Sequence, residues 1–446
     1  MAIISSLKRE VSLLQATSIN MIDMVGIGPF VVMPLVMNSM GNDMFIWAWV
    51  LGALIAFMDG MIWSELGAAF PLAGGSYNFL KAAYVSPWGQ LLSFLFVWQT
   101  CIQAPLVVAS GAIGFSQYFT FLVPLGFYEK KALAGAVVIL ITFLLYRNIK
   151  TIAKISVFLW AGVIVTLLWI IIGGFTHKQY EFSFFPEDSM DFIQPAFWMA
   201  LGKGSVNTVY SYLGYYNVCH LGNEIKNPAK NIPRSIFISV IGIATLYLCM
   251  NASIVGVLPV EEARHSNFIV SAFIEKIYGH RAALIATGLV LWIAFASLFA
   301  VMLGYSRVPF AAAMDGNFFS IFARVHPTKN FPFVSLLFLG GVGFLFSLLF
   351  KLKDVISAIL AMRILVQFIA QAVGVVLLRR RKLAEDLPFK MWLYPLPVVF
   401  SILVWLFLFY STGWYALWGS LLAISGVLVY LLIKKFRPQT GSAQVL

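Results

Sequence analysis

Long apolar runs, each near twenty residues, recur along the whole chain and are separated by short polar or charged stretches. About 20 such residues let an α-helix cross a hydrocarbon core. The pattern predicts spans at 12–37, 45–69, 88–118, 131–147, 151–174, 192–219, 234–257, 282–304, 333–350, 355–378, 391–411 and 415–436. The first run is longer than a signal-peptide core and reads as a retained span. No Gly/Ser-rich linker interrupts the series. The expected fold class is therefore an all-α integral membrane unit of about 12 transmembrane helices.

Two spans are broken. The first contains "MIDMVGIGPFVVMP", residues 21–34, with two glycines, a proline and the carboxylate Asp23. The sixth contains "VYSYLGYYN", where Gly214 is the weak point. With a cytoplasmic N-terminus, five helices leave the chain outside, so helices 1–5 and 6–10 run with opposite topology. Broken helices 1 and 6 then lead two halves of a 5+5 inverted repeat, followed by two C-terminal helices. The expected organisation is a cytoplasmic N-terminus (1–11), repeat one (12–174), an extracellular loop (175–191) and repeat two (192–378). A cytoplasmic basic loop (379–390), helices 11 and 12 (391–436) and a cytoplasmic tail (437–446) complete it.

Irregular backbone at membrane depth is tolerated only where protein buries it or it lines a cavity. The second half of helix 1 would present free N–H groups and a positive dipole end to an anion. Pro29 suits the first turn of that half-helix, while Ile27, Gly28 and Phe30 keep their amides. The end of the first half and the opening near Ser211, Tyr212 and Leu213 offer carbonyls to an ammonium. The two breaks together form a receptor for a zwitterion.

Composition supports this class: 61% of the 446 residues are hydrophobic and only 11% charged, with mean hydropathy +0.89. The net charge of +12 is spread between the apolar runs, which favours membrane orientation over a nucleic-acid partner. Twenty of the thirty Lys and Arg residues fall on the side holding both termini and eight on the other; Lys203 and Arg363 lie within spans. This predicts a multi-pass cell-membrane protein with both termini cytoplasmic. Cys101, Cys219 and Cys249 sit in apolar stretches and read as packing residues. The five histidines are scattered, so no metal site is expected. "GAAFPLAGGSY" lacks the Gly-Lys-Ser/Thr of a P-loop. No nucleophile–base constellation appears either, so neither an enzyme nor a cofactor is expected, and gradients or exchange would power the protein.

Four stretches carry a family resemblance. "GIGPF" resembles the GSGIF-type motif of the amino acid–polyamine–organocation (APC) transporters. "SELGAAFPLAGGSYNFL" (64–80) resembles that family's helix 2 end and following loop, and "GNEIKNPAKNIPRSI" (222–236) its helix 6–7 signature. "GYSRVPFAAAMDGNFFSIFARVHPTKNFP" (304–332) resembles the segment after helix 8. The resemblance covers nearly the whole chain. It implies a LeuT-type fold and alternating-access transport of amino acids or related amines. On that pattern the substrate positions are Asp23, Gly26, Ile27 and Gly28 in helix 1 and Tyr210, Ser211, Tyr212 and Gly214 in helix 6, with Tyr210 as the aromatic gate. Some relatives tether a glycoprotein through a cysteine between helices 3 and 4. Residues 119–131 have none, so no disulfide-linked partner is expected.

Coupling residues depart from the family. The helix 5 lysine of many sodium-independent relatives falls here on Val163, and Lys154 lies nearer the cytoplasmic end. Ser297 could serve a sodium site, but Leu298 removes a second hydroxyl. Asp23 stands where relatives are usually uncharged, and an intramembrane carboxylate by default marks an ion path, a proton relay or a ligand partner. The alternative is a fixed ion pair with Arg363 or Lys203. Arg363, Gln367 and Gln371 form one polar stripe, and Gln99 and Gln103 another. Asp59 and Glu65 are expected to pair with cytoplasmic-side cations, and Glu224 with Lys226 or Arg234, as gate or scaffold contacts. The resulting expectation is secondary transport of amino acids coupled to H+ or to exchange. Polyamine or cationic amine transport, and a non-transporting amino acid sensor, are the alternatives; the short tail speaks against the sensor.

Overall fold

The first apolar run starts at Ser12, whose Oγ accepts from Gln15 N (3.4 Å) while Gln15 Oε1 accepts from Ser12 N (2.8 Å). This reciprocal cap satisfies two orphan amides and fixes the start of the first helix. The computed structural model describes residues 7–40, 43–181, 192–381 and 387–436. The predicted tail and parts of the predicted extracellular and basic loops lie outside the described residues.

The helices in order are α1 (Leu13–Met24), α2 (Gly28–Met40), α3 (Ile46–Ala69), α4 (Ser76–Ala83), α5 (Trp88–Phe119), α6 (Phe127–Leu145) and α7 (Ile149–Thr176). Then come α8 (Pro195–Tyr212), α9 (Asn217–His220), α10 (Pro228–Val255), α11 (Val260–His265), α12 (Ile269–Tyr278) and α13 (His280–Tyr305). The last are α14 (Arg307–Met314), α15 (Phe333–Leu349), α16 (Leu352–Arg363), α17 (Ala370–Arg380), α18 (Leu396–Ser411) and α19 (Trp414–Phe436). Among the described residues no strand forms; there are only isolated bridges between Val11 and Ile225 and between Ala73 and Leu221.

Among the described residues seven helical segments are long and apolar enough to cross a membrane, eight if α1 and α2 count as one bent span. The protein is thus an all-helical, multi-pass membrane protein. α15 and α18 are apolar but shorter.

Each predicted span falls on a helix or a helix pair, with shifts at the ends. α10 starts at Pro228, six residues before the predicted 234, because proline at the first helical position needs no intrahelical N–H partner. The four short helices α4, α11, α12 and α14 were not predicted. They lie in connecting segments whose mixed apolar and polar residues give no continuous run. Between α16 and α17, Ile364–Ile369 winds as a π-helix, an irregularity often found at functional sites.

α1 packs on α7, α10 and α13, and α8 packs on α2 and α3. α5 runs through the centre against α13, α15 and α16. The interrupted ends of α1 and α8 are therefore enclosed by protein on all sides, as bare peptide groups at that depth require.

Candidate functional site

Residues 25–27 leave the helix, and α1 and α2 meet at a 42° bend. Val25 N closes on Met21 O (2.9 Å) and Gly26 N on Met24 O (3.2 Å). The amides of Ile27, Gly28 and Phe30, at the mouth of α2, have no hydrogen-bond partner among the described residues. The second break differs slightly from the sequence expectation. α8 remains helical through Ser211 and Tyr212, and the opening spans Leu213–Tyr216, one turn later. Gly214 carries it with φ +118°, a conformation L-residues avoid.

The two breaks touch. A Cβ on Gly214 would sit 2.8 Å from the Asp23 carbonyl carbon. Asn20 Oδ1 on α1 accepts from Val218 N on α9 (2.9 Å). From α10, the Tyr247 hydroxyl reaches both Met24 O (2.8 Å) and Ser211 O (3.2 Å), one carbonyl from each interrupted helix. The sequence reading missed Tyr247, since nothing in "IATLYLCM" distinguishes one buried tyrosine from another. Tyr247→Phe keeps the ring and removes the donor. It should lower stability by about 0.5–1.5 kcal/mol and reduce transport several-fold, as read by thermal unfolding and by counterflow.

Around the junction lies a cavity of about 50 Å³, enough for a few waters. Asp23, Gly26, Ile27 and Gly28 line it from the first break, and Tyr210, Ser211, Gly214 and Tyr216 from the second. Gly111 of α5, Ser297 and Tyr305 of α13 and Arg363 of α16 close the sides. Ser297 Oγ donates to Asp23 O (3.4 Å). Any side chain at Gly26 would meet that hydroxyl, since its Cβ would stand 2.7 Å away. Tyr210 covers Gly28, and its hydroxyl bonds Ser110 Oγ of α5 (2.8 Å).

Two of the expected substrate residues have side chains elsewhere. Phe30 is buried in the core, 1% exposed, and does not line the cavity. The Tyr212 ring packs edge-on against Trp49 and Tyr247, and the residue does not line the cavity. The missed residues are Tyr216 and Tyr305. Both rings flank Arg363, with its guanidinium carbon 5.7 Å and 5.0 Å from their centroids.

The charged residues sort into distinct places. Among the described residues Asp23 forms no ion pair within 4 Å, although Arg363 lines the same cavity. Lys203 is exposed on α8, so it is no partner for Asp23. Lys154 is exposed on α7 and lies outside the cavity. Among the described residues Asp59 meets no cation; it accepts from Tyr215 Oη (2.5 Å) and Trp405 Nε1 (3.4 Å). Glu65 does take a cation, bonding both Arg379 Nε (2.8 Å) and Nη2 (2.6 Å), and also accepts from Met391 N (2.7 Å). Glu224 pairs with Arg307, not with Lys226 or Arg234. Arg307 Nε and Nη2 donate to its two oxygens at 3.0 and 2.9 Å, with both side chains nearly fully buried. The 83-residue separation hid this partner, whereas the expected ones were merely close in sequence. On the same side Lys81 and Tyr77 both bind Asp315. The N-terminal segment joins there too, through Glu10 N and Val11 N to Glu224 O (3.0 and 2.9 Å).

A family model described as amino acid permease matches residues 11–433. The branched-chain amino acid permease BcaP of Bacillus subtilis (strain 168) is 27% identical, over 96% of this chain and 94% of the relative. The serine/threonine exchanger SteT of the same organism is 26% identical, over 89% and 90%. The Asc-type amino acid transporter 1 of Mus musculus is 26% identical, over 96% and 81%.

Proposed function

The chain belongs to the amino acid permease family and is an amino acid transporter rather than an enzyme, and from that premise we propose that it carries its substrate by alternating access around the two facing helix breaks. The observation that carries this reading is that unpartnered peptide groups of both breaks gather in and around one partly open cavity, which Ile27, Gly28 and Leu213 line. The Ile27, Gly28 and Phe30 amides, at the positive end of α2, suit a carboxylate. The carbonyls of Val25, Tyr212 and Leu213, without partners among the described residues, suit an ammonium. Tyr210, lying over Gly28, occludes the bound amino acid.

In the full topology twelve spans form two five-helix halves of opposite orientation, α8 and α9 making the broken sixth span, with both termini cytoplasmic. On that orientation the Glu224–Arg307, Glu65–Arg379 and Asp315–Lys81 pairs lie toward the cytoplasm and hold the inner side shut. Residues 119–131 contain no cysteine, so the carrier works without a disulfide-tethered subunit.

Asp23 couples transport to protons. It lines the cavity, has no cation within ion-pair distance, and lies against the second break, with its Cγ 2.8 Å from where a Gly214 Cβ would stand. A carboxylate placed so can change charge as substrate comes and goes. Arg363 on the same cavity disfavours polyamine transport, because a polycation would meet a guanidinium there. The test is counterflow in proteoliposomes loaded with unlabelled amino acid, run at several pH values. Wild-type uptake should depend on pH, and Asp23→Asn should flatten that dependence while counterflow at saturating substrate persists. A mutant profile parallel to wild type removes Asp23 from coupling, and absence of any counterflow removes the carrier reading.

A further inference from the structure

Arg363 is an arginine with a partner missing. It is 3% exposed, sits at the end of α16 where the π-helical stretch begins, and lines the substrate cavity. Nη1 donates to Tyr216 Oη (2.5 Å), and the guanidinium lies near the Tyr216 and Tyr305 rings. Among the described residues Nε and Nη2 have no hydrogen-bond partner. Those two nitrogens form one edge of the guanidinium, the edge that grips a carboxylate with two parallel hydrogen bonds. This protein uses that edge twice elsewhere, Arg307 on Glu224 and Arg379 on Glu65. At Arg363 the same edge is free.

A buried guanidinium left without an anion is costly in a membrane interior. Asp23 is within electrostatic reach of Arg363 but does not occupy this edge: its carboxyl lies against Gly214, and among the described residues the two form no ion pair within 4 Å. The substrate's own α-carboxylate is accounted for by the free amides of Ile27, Gly28 and Phe30. A second carboxylate, on the substrate side chain, would complete the set. Building on the carrier reading above, we propose that Arg363 is the side-chain specificity residue of this cavity and that the preferred substrate is an amino acid with a carboxylate side chain. The apolar residues Val107, Leu298 and Val301 around the cavity hold the short aliphatic stem between the two carboxylates. An uncharged side chain would leave the Nε–Nη2 edge desolvated and unpaired, and a cationic one would be repelled.

The test compares isosteres. Purified full-length protein in proteoliposomes is assayed by counterflow of L-glutamate and L-aspartate against L-glutamine and L-asparagine, which differ only in the side-chain charge. Wild type should favour each acid over its amide by at least about tenfold, since a buried charged pair is at stake. Arg363→Gln should bring that ratio to one or below. Arg363→Lys, which keeps the charge and loses the fork, should fall between, and it serves alone if the glutamine variant does not fold. Equal transport of acids and amides, preference for neutral amino acids, or an unchanged ratio in either variant overturns the proposal and leaves the carrier reading standing. Failure of every amino acid to exchange overturns both.

Discussion

Replacing Gly214 with alanine should cut amino acid counterflow to below one-tenth of wild type, whichever amino acid is used. Two independent costs fall on one methyl group. Gly214 has φ +118°, a conformation that costs an L-residue roughly 1–2 kcal/mol or more. Its Cβ would also stand 2.8 Å from the Asp23 carbonyl carbon, from Asp23 Cγ and from Met24 N. Two of those atoms are backbone, so no rotamer change relieves the contact. The breaks must separate, and with them the peptide groups that would hold the substrate. One factor of ten corresponds to about 1.4 kcal/mol, which the conformational cost approaches alone and the contact adds to. Gly288→Ala on α13 is the control: no atom lies within 4 Å of its Cβ position and its φ is not left-handed. That change should leave counterflow intact and, if anything, raise helix stability by about 0.5–1 kcal/mol. Substantial transport by Gly214→Ala would mean that contact between the breaks is dispensable.

The placement of the spans and both interruptions could be read from the chain because each rests on a local signal. Twenty apolar residues specify a crossing without reference to anything distant, and Gly26-Ile27-Gly28-Pro29 is a local weak point in a helix, although Pro34, Pro105 and Pro233 sit within helices that continue. The second break was legible only to within a turn. Gly214 marks it, but whether Ser211 and Tyr212 unwind depends on tertiary contacts such as Tyr247 with Ser211 O. Pairings over long separations were the least legible. Glu224 has basic neighbours at Lys226 and Arg234, yet it bonds Arg307, which the fold brings to it at the start of α14, away from water. Asp59 was expected to find a cation and instead meets Tyr215 and Trp405. A one-dimensional pattern locates charges within a membrane protein but not which of them face each other. The cavity itself was partly legible: the helix 1 positions follow from the break, whereas Tyr216 and Tyr305 follow only from how α9 and α13 flank Arg363.

The Glu224–Arg307 pair carries the second large effect. Both side chains are nearly inaccessible, at 0% and 2% exposure, and the two hydrogen bonds use the full fork of the guanidinium. Arg307 adds bonds to Leu303 O (3.1 Å) and Ser306 Oγ (3.0 Å), so its charge is fixed as well as paired. Removing one member of such a pair strands the other in a dry site, at a cost of about 3–5 kcal/mol. Arg307→Met should therefore lower the thermal midpoint sharply, and Glu224→Gln should do so to a lesser degree because an amide keeps part of the hydrogen bonding. The double variant Glu224→Gln with Arg307→Met leaves no buried charge and should regain more than half of the loss. Stability alone does not separate a scaffold from a gate, but Cys219 does. It is 1% exposed on α9, five residues before Glu224, with its Sγ against Trp63 O at 3.9 Å. If the pair holds the inner side shut, the double variant, though restabilised, should react with a membrane-impermeant thiol reagent from the cytoplasmic face many times faster than wild type. Should the double variant recover its stability while Cys219 stays as protected as before, the pair is a structural staple and the inner closure depends on Glu65–Arg379 and Asp315–Lys81 instead.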